Sequence, residues 1–331
     1  MHPAPITRVE PIPCWLSCSP AAPQRTPPMT RKIEIVEVGP RDGLQNDPAM
    51  MSTDTKIEFI ERLVAAGVRR MEAASFVHPK LVPAMADSDA VMQRVPRQDG
   101  VKYIGLALNE RGMRRALENG CDEVNYVMVA SPGFGLKNQN ATPDETADLF
   151  DRIAVLAHDE GVPVSVTVSV AFGDPFDGEV DANVVAQLAA RAKAAGAVEF
   201  AMGDTIGVAD PWAVRRMLDL VRAQSGDMKI RMHFHNTRNT AMANIYAAVE
   251  AGVDVIDASV GGIGGCPFAP AATGNVATED VVYMLERGGF ETGLDLGKLI
   301  ETAKWLESDG LKHPVDSALS RAGGFPTPAP S

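Results

Sequence analysis

From Lys32 onward the chain alternates short β-rich apolar runs with longer stretches of helical periodicity. The runs at 33–38, 70–74, 102–107, 123–129, 164–170, 198–202, 230–235 and 255–259 are rich in Val, Ile and aromatic residues, the composition of buried strands. Between and after them, apolar residues recur at helical spacing near 54–66, 83–94, 110–119, 143–160, 181–195, 211–224, 240–251 and 278–287. Thr142-Pro143-Asp144-Glu145 reads as an N-cap, a proline in the first turn and a capping-box acid, and Asp210-Pro211 repeats the cap and proline. Gly67, Gly120, Gly161, Gly196 and Gly252 fall where each helix would hand over to the next strand, as C-terminal caps.

Repeated strand-then-helix units with short connections imply parallel strands joined by right-handed crossovers, which predicts an α/β fold: a closed (β/α)8 TIM barrel. An open doubly wound sheet fits less well, because no Gly-x-Gly-x-x-Gly turn follows the first strand. The barrel makes a demand on the chemistry, which should gather at the carboxyl ends of the strands. Residues 1–30 hold eight prolines and no hydrophobic period, so they are expected to be a disordered tail without the apolar centre of a signal peptide. The barrel domain is expected at 31–310, and a C-terminal tail with a short helical extension at 311–331. Met29 is a second candidate start of translation; an intact mass beginning at Met1 would exclude it.

Composition narrows the function. Hydrophobic residues are 45% and charged residues 22%, ordinary for a soluble enzyme, and no apolar run reaches the length of a membrane span. The net charge of −12 disfavours nucleic acid and anionic membranes as partners. Cys14, Cys18, Cys121 and Cys266 are read as thiols of a cytoplasmic protein, and Cys14 with Cys18 makes a poor zinc site for want of further ligands nearby.

Within 230–235, His233 and His235 are two apart and so share one face of a strand, while Phe234 turns the other way. That geometry suits a metal, although a bare His-x-His is equally a pair of satisfied core histidines. At the end of the first strand, Arg41 and Asp42 are either surface charges or, in a barrel mouth, an oxyanion donor and a metal ligand. Glu72 sits among apolar neighbours in the second strand, where a charge needs a partner, and Arg41 is the expected one. Asp204 follows the sixth strand and reads either as a turn residue or as an acid–base group. After the eighth strand, Gly261-Gly262-Ile263-Gly264-Gly265-Cys266-Pro267 reads as a tight turn, a phosphate cradle or a mobile loop that offers Cys266 as an acid. Asn275 alone would be a turn residue.

Together these segments resemble the 3-hydroxy-3-methylglutaryl-CoA lyases, within a superfamily of metal-dependent barrels that cleave or form carbon–carbon bonds. The resemblance runs from Lys32 to about Gly310 and rests on Gly39 to Asn46, Ser75-Phe76-Val77, Gly203 to Gly207, His233-Phe234-His235 and Gly262 to Asp280. The loop containing Cys266-Pro267, Gly274-Asn275 and Thr278-Glu279-Asp280 is the part that separates lyases from condensing synthases.

The resemblance implies Mg²⁺ or Mn²⁺ held by Asp42, His233, His235 and Asn275. It also implies cleavage of 3-hydroxy-3-methylglutaryl-CoA to acetyl-CoA and acetoacetate, as in leucine degradation and ketone-body formation. Arg41 would stabilise an enolate, Cys266 would protonate it, and His233, Asp204 or Glu72 would act as base. A homodimer is expected, with Lys137 and Asn138 as candidates for gripping coenzyme A. The chain departs from the pattern at Asn236-Thr237-Arg238, where Asp-Thr-Tyr is expected, and at Ala271, where glycine is more usual. Those changes bear on acyl-chain specificity. Citramalyl-CoA or an isoprenoid-derived hydroxyacyl-CoA is the competing substrate, and a non-catalytic metal-dependent binding protein the competing class.

Overall fold

In the computed structural model, which describes residues 31–265 and 274–326, eight parallel strands pair in sequence order and close when the first meets the eighth. They are β1 (Glu34–Glu37), β2 (Arg70–Ser75), β3 (Lys102–Ala107), β4 (Glu123–Val129), β5 (Val164–Ser169), β6 (Glu199–Asp204), β7 (Lys229–Phe234) and β8 (Val255–Ala258). The helices of the first half are α1 (Thr53–Ala65), α2 (Ser88–Arg94), α3 (Glu110–Glu118), α4 (Pro132–Asn138) and α5 (Pro143–Asp159). The second half carries α6 (Ala182–Ala194), α7 (Pro211–Ser225), α8 (Ala241–Glu250), α9 (Thr278–Arg287), α10 (Leu296–Trp305) and α11 (Ala318–Ala322). The fold is the expected TIM barrel. Among the described residues no helix is long and apolar enough to cross a membrane.

The caps form as their chemistry requires. The Thr142 hydroxyl accepts from the Glu145 amide and the Glu145 carboxylate accepts from the Thr142 amide, closing the capping box that starts α5. Asp210 accepts from the amides of Trp212 and Ala213 at the start of α7. The helix expected over 83–94 is broken, with a 3-10 turn at Pro83–Met85 and α2 beginning only at Ser88. The cause is local. Asp87 turns its carboxylate to Lys56 and Thr53 of α1, and the Ser88 hydroxyl donates at 2.8 Å to the carbonyl of Ser75, so both side chains serve neighbouring elements instead of continuing one helix. Helix α4 has too few turns to be read from sequence, α11 is the short helix expected in the C-terminal segment, and α10 goes unread although Leu296, Leu299, Ile300 and Ala303 recur at helical spacing.

The main core lies between the strands and the surrounding helices, around Phe59, Phe150, Phe200 and Ile245. Inside the barrel only a small apolar set closes the lumen, formed by Val36, Val38, Ile104 and Val255. Much of the remaining lumen is charged. Arg70 bridges Glu123 and Glu199 at 2.7 and 2.8 Å near the strand starts, while Arg231 lies further along with no exposed surface. Buried charges on this scale persist only when paired.

The C-terminal segment is fastened to the barrel. Asp280 accepts from the amides of Ala318 and Leu319 at 3.0 and 2.9 Å, and the Asp316 amide donates to the carbonyl of Gly261.

Candidate active site

Three chain segments converge on one space at the carboxyl ends of the strands. Asp42 comes from the turn after β1, His233 from the end of β7 and His235 just beyond it; one candidate ligand atom from each lies within 4.8 Å of the others. The two imidazoles stand with ring centroids 5.1 Å apart, whereas Phe234 points to the opposite face and packs on Phe172. This is the alternation of a strand carried one residue past its end. Asn275 joins them through an antiparallel bridge with His235, and its Nδ2 donates to Asp42 Oδ2 at 2.8 Å, leaving Oδ1 as the amide's possible ligand atom.

Asp42 and His235 have the protonation states that a cation requires. Burial opposes the charge on Asp42, but the Arg41 guanidinium, both histidines and the Asn275 amide hold its carboxyl well below the usual range, so it is an anion. Burial and the neighbouring His233 lower the His235 imidazole to about 4, so it is neutral. His235 Nδ1 is buried with no hydrogen-bond partner among the described residues. Nε2 of the same ring is the nitrogen that faces the carboxylate, 3.9 Å from Asp42 Oδ2, and a neutral imidazole beside a carboxylate and a second imidazole is a fit for a divalent cation.

His233 Nδ1 lies 3.1 Å from Asp257 Oδ2. Nδ1–H donating to Asp257 leaves Nε2 toward the cleft, the arrangement in which a carboxylate orients a metal-binding histidine. Burial alone would lower the His233 pKa; the Asp257 hydrogen bond and charge raise it instead.

The expected Arg41–Glu72 pair forms. Arg41 donates through Nε and Nη2 to Glu72 Oε2, with the Nε bond at 2.6 Å, and through Nη1 to Asp42 Oδ1 at 2.6 Å. Glu72 Oε1 accepts from Asn125 Nδ2 at 2.7 Å. Despite burial, Arg41 and then Arg231 hold the Glu72 carboxyl below its usual value. Asp204 has a different setting. Its Oδ1 accepts from Val208 N and its Oδ2 from Ala209 N, shaping the loop after β6, while burial lifts its carboxyl to about 6 in spite of those bonds.

The base of the glycine-rich loop explains its composition. A Cβ on Gly264 would stand 2.6 Å from Asn275 Nδ2, and one on Gly274 only 2.2 Å from the carbonyl of Gly262. The two arms of the loop thus approach as only glycines can. Cys266 and Ala271 lie outside the described residues. Gly265, next to Cys266 in sequence, lines the same cleft as Arg41, Asp42, His233 and His235, and its carbonyl accepts from Asn46 Nδ2.

Asn138 lines that cleft, whereas Lys137 lies over the ring of Phe176, 3.6 Å from its centroid. The guanidinium of Arg238 donates to the carbonyls of Ile206 and Gly207, holding the loop after β6. A more voluminous depression opens at the opposite end, lined by Arg31, Lys32, Arg69 and Lys229, away from every candidate residue. In a parallel barrel that end carries stability and the carboxyl end carries chemistry.

Sequence reasoning passed over Asp257, Arg231, Asn125 and Gln45. Asp257 shares a strand face with Val255, and Arg231 shares one with His233; a charge in an apolar run is the signal that singled out Glu72 and applied equally to both. Gln45 lines the cleft with its Oε1 buried and without a partner among the described residues.

Residues 32–306 match the family described as HMGL-like. The chain is 40% identical over 280 residues to hydroxymethylglutaryl-CoA lyase YngG of Bacillus subtilis, across 85% of this chain and 94% of that protein. It is 39% identical over 301 residues to (R)-citramalyl-CoA lyase of Chloroflexus aurantiacus, across 88% of this chain and 95% of the relative. A solved HMG-CoA lyase from Acinetobacter baumannii, in complex with coenzyme A and 3-methylmalate, superposes with a TM-score of 0.86 at 36% identity, covering 91% of this chain and 98% of that one.

Proposed function

The chain belongs to the HMGL-like family, and from that premise we propose that it is a divalent-metal-dependent carbon–carbon lyase that cleaves 3-hydroxy-3-methylglutaryl-CoA into acetyl-CoA and acetoacetate. The observation that carries the reading is the convergence of Asp42, His233 and His235 within 4.8 Å, beside an arginine pinned by Glu72. A barrel serving only to bind a metal would need the carboxylate and the imidazoles, but not a guanidinium pinned by a buried carboxylate in the same cleft.

Asp42, His233, His235 and the Oδ1 of Asn275 would hold the cation. When bound, a divalent ion supplies Lewis acidity that makes a nearby hydroxyl easier to deprotonate. Mg²⁺ and Mn²⁺ both suit a set that mixes oxygens with imidazole.

The chain's own groups then divide the work. A nitrogen lone pair cannot bind a cation and accept a proton at once, so the Asp257-oriented His233 is assigned to binding. Glu72 is a weak base because Arg41 holds it ionised. Asp204, although lifted to about 6, does not serve: Gly203 and Thr205 on either side of it line the cleft, so its carboxylate turns to the opposite face and the amides of Val208 and Ala209, leaving water in the cleft as the proton acceptor. Removing the proton from the tertiary hydroxyl turns the C–O bond into a carbonyl. The C–C bond breaks and its electron pair becomes the enolate of the thioester. Arg41 stabilises the enolate oxygen, and Cys266, on the loop whose base lines the cleft, returns a proton to carbon.

Citramalyl-CoA is the second reading for the acyl chain, supported by the equally similar Chloroflexus relative. The deciding assay follows acetyl-CoA release from both thioesters in Mg²⁺. Faster turnover of 3-hydroxy-3-methylglutaryl-CoA supports the proposal, and cleavage of citramalyl-CoA alone replaces its substrate while keeping its chemistry.

A further inference from the structure

Arg231 is fully buried in the barrel lumen, two residues before His233 on the same strand face. Its nitrogens reach three other strands. Nη2 donates to Thr167 Oγ1 on β5 at 3.4 Å, while Nε, 3.1 Å from Glu199 Oε1 on β6, and Nη1, 3.4 Å from Asp257 Oδ1 on β8, make ion pairs without hydrogen-bond alignment. The Asp257 carboxylate is consequently shared, with Oδ1 facing Arg231 and Oδ2 facing His233 Nδ1 at 3.1 Å. A guanidinium on one side of a planar carboxylate and an imidazole N–H on the other set the direction of its plane, and that plane sets which nitrogen of the imidazole is turned to the cleft.

We infer that Arg231 is a positioning residue for the cation site: acting through Asp257, it holds the His233 ring in its ligating orientation without touching ligand or substrate. This inference rests on the proposed metal site. The same guanidinium is joined through Glu199 to Arg70 and Glu123 on the barrel floor, so the orientation is anchored in a buried polar network that spans the lumen. A partly loosened carboxylate would still accept a hydrogen bond from His233, but in more than one orientation. Loss of such an outer partner typically weakens metal binding by about 10- to 100-fold.

Free Mn²⁺ can be counted by its paramagnetic resonance while it is titrated into the purified full chain, first stripped with chelator. The wild-type chain is expected to bind one Mn²⁺, and His235→Ala to abolish that site; if the two bind alike, the metal site itself is wrong and the inference goes with it. Given a wild-type site, Arg231→Met and Asp257→Asn are each expected to weaken Mn²⁺ binding by about 10- to 100-fold. The double variant should bind no more weakly than the poorer single one, because Arg231 acts only through Asp257. Wild-type affinity in Arg231→Met, or losses that multiply in the double variant, overturns the inference. Should Arg231→Met fail to fold, Arg231→Lys replaces it in the same cycle, keeping the charge but losing the fork that reaches three strands. A general loss of stability would not produce this non-additivity.

Discussion

Arg41 Nε and Glu72 Oε2 meet at 2.6 Å, joining the turn after the first strand to the buried middle of the second. The pair does two things at once. It neutralises a carboxylate that could not stay charged alone in the barrel, and it aims a guanidinium at the cleft.

Removing the carboxylate should therefore cost stability and rate together. Glu72→Ala leaves a buried guanidinium with only Asp42 as partner, and breaking a buried pair costs about 3–5 kcal/mol. Denaturant unfolding is expected to report a loss of that size and acetyl-CoA release a matching fall in kcat. A variant of wild-type stability would show that Arg41 finds another partner.

Arg41→Gln removes the oxyanion donor. A lost donor of this kind costs about 10²- to 10³-fold in kcat. KM should change far less, since the enolate exists only after the bond has begun to break. An effect confined to KM would place Arg41 in substrate binding instead.

Cys266→Ala should likewise lower turnover while leaving binding of the thioester nearly unchanged. Steady-state kinetics separates the two, and a change in KM alone would remove Cys266 from proton transfer.

Beneath the site, Glu37 is a buried acid whose Oε1 accepts from the amides of Gly39 and Val260 and whose Oε2 accepts from the Thr278 hydroxyl. Burial raises its carboxyl from 4.5 to about 8 in spite of those bonds. Between these values the folded protein holds a proton that the unfolded chain has released, so stability falls as pH rises, by about 1.4 kcal/mol per pH unit for that proton. Glu37→Gln mimics the protonated acid, the Thr278 hydroxyl reversing to accept from the new amide. Unfolding at about pH 5.5 and about pH 7.5 should show a smaller loss of stability in the variant than in wild type. Parallel losses would mean that Glu37 is ionised in the fold.

The barrel and much of its mouth were legible in the sequence because they follow from local rules. Strand period two placed His233 and His235 on one face, and the cost of a lone buried charge paired Glu72 with Arg41 before any contact was known. Asp257 was not legible as a partner of His233, since the two are joined by the register of β7 against β8 rather than by spacing along one element. Arg231 was hidden for a further reason: its partners sit on three other strands, so its role exists only in the assembled lumen. The break before Ser88 was missed because Asp87 and Ser88 bond to α1 and β2, and helical periodicity does not register such tertiary competition.

The most direct test of the central claim is acetyl-CoA release from 3-hydroxy-3-methylglutaryl-CoA by wild type and by His235→Ala, in Mg²⁺, after chelation, and after Mn²⁺ is restored. Release by wild type should be abolished by chelator and recovered by Mn²⁺, with His235→Ala deficient throughout. Release that survives chelation, or that proceeds at the wild-type rate in His235→Ala, would contradict that claim.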